Sequence, residues 1–351
     1  MNKQTTSMSF LHSNLNISHE EGINLEPIWN FFQTHFIIKH NNNLENSIAD
    51  IYITNNKDGN DNLFNNYSEV YLRKSASDFF TIKAKKSETE KKEYILIEET
   101  GTLLIFNSYL KEITICLNSN LAKKDELTII ELVRDLVLKN EENRGVLVLH
   151  ATSALKDGKV SLIIGSKGAG KSTTLLEFVK KDHYQLMSGD KTFVWIQNGE
   201  LFASGWPDYP HLGLGTISKY PDLINKLQLK DQIENNLDDI WSTKHKIAVS
   251  PEKFKEVFNC TEAGLTAPVE KIYYPKLQDS KDCDLTAIEN DMELICPHIE
   301  SLYNADGNYW NNFIELQRSH LEYSDILNAL ENINAYKIEG NGIIDNYLTS
   351  K

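Results

Sequence analysis

Residues 160–181 read VSLIIGSKGAGKSTTLLEFVKK, and this stretch decides how the rest is read. Val160 to Ile164 form an apolar run of strand length. Gly165-Ser166-Lys167-Gly168-Ala169-Gly170-Lys171-Ser172 then satisfies G-x-x-x-x-G-K-[ST]. Average residue usage produces that pattern by chance in about one chain of this length per hundred. Ser172 onward, STTLLEFVKK is apolar at helical spacing, so a strand enters the loop and a helix leaves it, as the motif requires.

The chemistry of such a loop is anion capture. Glycines let consecutive backbone N–H groups turn inward, with no Cβ in the way of a phosphate. The loop feeds a helix N-terminus, whose unpaired amides and dipole favour negative charge. Gly165 through Thr173 are therefore the expected nucleotide-binding residues. Lys171 is expected on the β- and γ-phosphates and the Ser172 hydroxyl on Mg²⁺, while Lys167 either adds a second cation or faces solvent.

Outward from the loop, GVLVLH is an apolar strand ending at His150, and a turn at Asp157-Gly158 leads into VSLII. Downstream, QLMSGD, TFVWIQ and ELFASG are strand-like, and Asn198-Gly199 between the last two is a strong hairpin signal. Antiparallel strands thus follow the helix at once, unlike the usual parallel continuation. The absence of an N-K-x-D guanine reader favours ATP over GTP, and no LSGGQ-like stretch points to a transporter ATPase.

In the N-terminal third, the first twenty residues are polar and expected to be loose. LEPIWNFFQTHF predicts a short amphipathic helix, and residues 55–66 an exposed loop. EYILIEE, TLLIFN and EITICLN predict an antiparallel meander, with the charge run 85–93 as a solvated hairpin tip. ELTIIELVRDLVLKN places Leu127, Ile130, Val133, Leu136 and Val137 on one helical face. Towards the C-terminus, PEKFKEVF predicts a helix with Ser250 as N-cap and Pro251 at the first position. KIYYPKL predicts a strand, 278–284 a loop, and NYWNNFIELQ and YSDILNALENI helices.

LHATSALKDGKVSLIIGSKGAGKSTTLLEFV, QLMSGDKTFVW and PHLGLGTI together resemble the HPr kinase/phosphorylase-like group, whose nucleotide-binding core is shared with phosphoenolpyruvate carboxykinase. The matching stretch, His150 to about Ile217, is a fifth of the chain. The resemblance implies an α/β P-loop core of that type with mixed, largely antiparallel strands. It is expected in a domain 144–351 with a helical C-terminal extension, beside a small α+β domain over 1–143. His150 matches the group's histidine on the strand before the loop, and Gly213-Leu214-Gly215 its Gly-Leu-Gly element. Its paired aspartates are reduced here to Asp190, with Gly189 or Lys191 in the partner's place. The Glu and Arg that precede Gly-Leu-Gly in the group's protein kinases are missing.

The resemblance implies an ATP- and Mg²⁺-dependent kinase that transfers the γ-phosphoryl group to a hydroxyl, on a peptide or protein Ser/Thr or on a small metabolite. Lys171, Asp190 and His150 are the expected catalytic residues, with Asp190 as proton acceptor or, with Ser172, as metal ligand. Asp208 and His211 are expected to contact substrate or metal in place of the missing Glu and Arg. Trp206 and Tyr209 either stack on substrate or pack, and His298 and His320 are read as structural. The alternative is a regulatory module that binds nucleotide and transfers little or nothing.

Composition sets the outer bounds. The 351 residues carry 36 Lys+Arg against 50 Asp+Glu, a formal charge of −14, which argues against broad binding to nucleic acid or an anionic membrane. The longest apolar runs are strand-sized, the N-terminus has no signal-like segment, and four dispersed cysteines suit reduced thiols, so a cytoplasmic protein is expected. A homo-oligomer is compatible with the resemblance.

Overall fold

The first strands form where the sequence looks least apolar. Met8, Phe10, Leu15 and Ile17 recur at period two among Ser, Thr and Asn, and none is more than 2% exposed. The computed structural model describes residues 4–55, 63–75, 78–181, 183–242, 246–278, 283–300, 310–317 and 323–341. In it these residues build an antiparallel hairpin of β1 (Gln4–Phe10) and β2 (Ser13–His19). The expectation of a loose N-terminus is thereby corrected. A strand needs only alternate apolar positions, and the polar residues between them suit the ladder.

Residues 1–145 and 301–321 form one compact unit, and 146–300 with 322–351 a second. The boundary expected at 143/144 had assigned 301–321 to the second domain. The first unit is a mixed sheet to which β3 (Ile37–His40), β4 (Ala49–Thr54), β5 (Ser68–Arg73), β6 (Ile82–Glu88), β7 (Glu93–Ile97), β8 (Thr102–Asn107) and β9 (Glu112–Cys116) also belong. Its order is β3-β1-β2-β4-β9-β8-β7-β6-β5. The meander β7-β8-β9 is antiparallel as read, while β4 lies parallel to both β2 and β9. Within the charge run, Lys86 is not solvated: it is buried in ion pairs with Glu88 and Glu93 at 2.8 and 2.6 Å. Helix α1 (Glu26–Phe32) buries Ile28, Trp29, Phe31 and Phe32, and α2 (Lys123–Asn143) buries the five-residue face read from its periodicity.

The helix expected over 308–317 does not form in its described part, 310–317. Trp310 and Phe313 instead pack on Phe106, each with ring centroids 5.9 Å away, and the buried Lys139 ammonium donates to the Asn311 carbonyl at 2.9 Å. Tertiary anchors at three of four successive residues outweigh a weak helical preference. In the two expected loops, 56–62 and 279–282 lie outside the described residues, as does His320.

The second unit contains β10 (Leu147–Leu149), β11 (Ala151–Lys156), β12 (Lys159–Ile164), β13 (Gln185–Ser188), β14 (Thr192–Gln197), β15 (Glu200–Gly205), β16 (His211–Gly213), β17 (Lys246–Ala248), β18 (Ala267–Leu277), β19 (Cys283–Ile288) and β20 (Asn334–Gly340). Its main sheet runs β10-β14-β15-β18-β12-β11-β13, with β20 between β18 and β19, and β16 pairs β17 apart from it. Among the described residues, the parallel ladders of this sheet are β12–β18 and β18–β20. Asp157 and Gly158 (φ 51° and 74°) turn β11 into β12, and Asn198 and Gly199 (φ 53° and 82°) turn β14 into β15. Both pairs take the left-handed backbone a two-residue hairpin requires.

β12 is buried on both faces, which is why it reads as a continuous apolar run. Ile163 joins the core around Leu175, Leu176 and Phe178 of α3 (Lys171–Lys181), while Leu162 and Ile164 join that around Ile326 and Leu330 of helix Ser324–Glu331. The phosphate-type loop therefore leaves a strand clamped between two cores. The expected helix Pro251–Val257 is present, with Ser250 at the N-cap position but without a side-chain cap bond. The molecule is α/β with mixed sheets. Among the described residues no helix is long and apolar enough to cross a membrane.

Candidate functional site

The loop 165–170 is held open by its backbone. Gly168 and Gly170 have φ of +89° and +109°, and a Cβ on Gly170 would lie 2.4 Å from Leu277 Cγ at the end of β18. The Leu277 amide donates to the Ala169 carbonyl at 2.9 Å, so the strand beside β12 forms the loop's wall. Inside the loop, the Ala169 amide donates to Ser166 O (3.1 Å) and that of Thr174 to Gly170 O (2.9 Å). The amides of Gly168, Gly170, Lys171 and Ser172 have no partner among the described residues. Unspent donors at the start of an eleven-residue helix are an anion-binding arrangement.

Lys171 and Lys246 lie within electrostatic range of each other, and so do Lys246 and Lys167. The Lys171 ammonium donates to the Gly165 carbonyl at 2.6 Å, bending over the loop. Burial depresses its pKa below the ordinary 10.5; the Lys246 charge adds to that, against Asp190 and Glu300. Lys246 stands on β17 opposite Gly213 of β16, and its own pKa is lowered by burial and by Lys167, against Asp190. Half-buried cations brought within range of one another are costly to keep charged, and an anion between them removes that cost. Lys246 carries no local sequence signal. It arrives through the β16–β17 pairing.

The acidic side is built as carefully. The amide of His150 donates to the His298 carbonyl at 2.7 Å and that of Glu300 to Val148 O at 2.8 Å, a short antiparallel bridge beside β10. It sets Glu300 against His150, Nδ1 to Oε1 at 2.8 Å, while Lys191 Nζ meets Oε2 at 2.5 Å. Burial would raise the Glu300 pKa, but the His150 hydrogen bond and the Lys191 charge outweigh it and hold the carboxylate at about 2. An ionised Glu300 can only accept, so His150 donates through Nδ1 and turns Nε2 towards Asp190, 3.6 Å from Oδ1.

Asp190 follows β13 in a half-buried turn. Burial and then the charge of Asp208 push its carboxyl above the ordinary aspartate range, against His150 and Lys191. Gly189 beside it cannot carry a second carboxylate, because a Cβ there would lie 2.7 Å from Pro210 Cβ. Asp208, two residues before that proline, brings the second acidic group from the facing segment. Two carboxylates in mutual range resist joint ionisation unless a cation or a shared proton intervenes.

The structure thus brings together the loop, Lys167, Lys171, Lys246, His150, Asp190, Lys191, Asp208 and Glu300. His298, read as structural, also belongs here: burial and the charges of Lys171 and His150 lower its pKa. Ser172 is half-buried at the second position of α3, and the Thr173 hydroxyl is 2.9 Å from that of Thr216. His211 is exposed on β16. Trp206 is 2% exposed and stacked on Phe193 at 4.7 Å, so it packs the core and offers no face to a ligand. Among the described residues no group of three or more His, Cys, Asp or Glu has metal-binding spacing. Magnesium does not need one, since it takes one or two carboxylates and completes its shell with phosphate oxygens and water.

No model of a known protein family matches this chain, and no curated protein does. Among solved structures, the Hpr(Ser) kinase/phosphatase from Coxiella burnetii matches at 12% identity over 57% of this chain and 82% of that one, with a TM-score of 0.25. This is a weak structural relationship, and chains related so distantly need share no chemistry.

Proposed function

We propose that the second unit is a phosphotransferase that moves the γ-phosphoryl group of ATP to an acceptor hydroxyl. The observation that carries this reading is a loop with unpartnered amides and the Lys171 ammonium folded over it, with Lys246 and Asp190 in electrostatic range of that ammonium. A triphosphate tail is the ligand whose charge and length suit that set. Phosphoryl transfer asks a protein mainly for alignment and charge neutralisation, which lysines and loop amides supply.

Ser172 and Asp208 are the groups that would hold magnesium, an ion that neutralises phosphate charge when bound, which leaves Asp190 for proton acceptance. The acceptor oxygen forms its bond to the γ-phosphorus as the bond to the β–γ bridging oxygen breaks, and ADP departs. The acceptor's proton passes to the Asp190 carboxylate, whose raised pKa makes it a better base near neutrality than an ordinary aspartate. His150, oriented by Glu300, positions the hydroxyl. The acceptor is a peptide or protein Ser/Thr or a small metabolite.

The test is a single-turnover assay with γ-labelled ATP and Mg²⁺, with and without cell extract. Lys171→Ala is expected to lose nucleotide binding. Asp190→Asn is expected to keep binding and lose transfer about 100-fold or more. Label that reaches neither a polypeptide nor a small molecule, with binding intact, would leave only a nucleotide-holding module. Normal transfer by Asp190→Asn would remove Asp190 as the base.

A further inference from the structure

The phosphate chemistry leaves Trp241 unexplained. Its indole is 63% exposed, and Leu237 near it 62%, a poor use of apolar surface unless something covers it. Yet the ring is firmly seated. The amide of Gly215 donates to the Ile240 carbonyl at 2.9 Å, tying the Trp241 turn to α4 (Leu214–Ile217). A Cβ on Gly215 would fall 2.5 Å from Cδ2 and Cε3 of the indole, so the ring rests directly on the helix backbone. Lys219 Nζ lies 5.3 Å from the ring centre.

The same helix is tied to the phosphate loop through the hydroxyls of Thr216 and Thr173, 2.9 Å apart. Thr173 directly follows Ser172, beyond the loop glycines and Lys171. A triphosphate that presents its γ-phosphate to Lys171 and Asp190 has its nucleoside at the opposite end. The indole rests on Gly215, the neighbour of Thr216, and so lies on the Thr173 side of the loop.

We infer that Trp241 is a stacking platform for the base of the bound nucleotide; this rests on the phosphate-binding reading of the loop. Every base has a π-face, so an indole platform adds affinity with little discrimination between adenine and guanine. The platform also explains Gly215, the second glycine of the Gly-Leu-Gly element, since any side chain there would push the ring off its seat.

The discriminating probe is inorganic tripolyphosphate, which has the tail and lacks the base. ATP, GTP and tripolyphosphate are titrated by calorimetry into the full chain and into Trp241→Ala and Trp241→Phe. Trp241→Ala is expected to weaken ATP and GTP alike by about tenfold and to leave tripolyphosphate within about twofold, while Trp241→Phe keeps most of the affinity. In the wild type, ATP and not tripolyphosphate should shield the indole from acrylamide quenching. Equal losses for ATP and tripolyphosphate in Trp241→Ala, or no loss for either, would overturn the platform and leave the loop reading standing. A wild type that binds neither probe removes the loop reading and the platform with it.

Discussion

At the scale of single residues, the site is a matter of which charges face one another. Glu300 is the instructive case: His150 and Lys191 hold its carboxylate ionised down to about pH 2. Glu300→Gln removes the charge that selects the Nδ1–H tautomer of His150. Transfer by this variant is expected to fall about 10–100-fold, with tripolyphosphate affinity unchanged. Unaltered turnover would make the pair a structural clasp. Its contribution to stability follows from the sign of the shift. A depressed carboxylate stabilises fully above its ordinary pKa of 4.5, and that share fades as pH falls towards about 2. The stability gap between wild type and Glu300→Gln should therefore stay constant from neutral pH to about 5 and close on further acidification, read by urea unfolding.

Elements decide which residues can stand beside those charges. The turn after β13 and the segment 208–210 press together so tightly that Gly189 has no room for a side chain. Gly189→Asp would restore in sequence the paired aspartates of the HPr kinase-like pattern. It is expected instead to cost about 1–3 kcal/mol through overpacking against Pro210 and to leave transfer no faster. Thermal unfolding and the labelled-ATP assay check both halves, and a stable, faster variant would show the turn to be looser than its contacts imply. The glycine-rich loop 165–172 was legible because its pattern is local: glycines, a lysine and a hydroxyl in eight consecutive residues, between an apolar strand and a periodic helix. The two hairpins were legible for the same reason, through Asp157-Gly158 and Asn198-Gly199. The β1–β2 hairpin was not, because its apolar positions are diluted by Ser, Thr and Asn. Nor was the irregular path of 310–317, which is set by Phe106 and Lys139, far away in sequence.

On the scale of the whole molecule, a chain of formal charge −14 keeps a small cationic centre. Lys171 and Lys246 both have pKa values below the ordinary 10.5, for which burial is the leading cause. A bound polyphosphate restores their protons, so binding should take up protons, and affinity should fall as pH rises into the alkaline range where these lysines discharge. Tripolyphosphate calorimetry at successively higher alkaline pH, in buffers of different ionisation enthalpy, measures that uptake; binding with none would mean that the lysines stay charged throughout. By itself the sequence determined the glycine-rich loop, the strand and helix around it and most of the regular elements, because each rests on neighbours along the chain. Only the tertiary structure decided that Lys246 and Glu300 come within electrostatic range of Lys171, that Trp241 rests on Gly215, and that residues 301–321 belong with the first unit. Strand pairing and close packing bring such residues together across long sequence separations, and no local pattern records that.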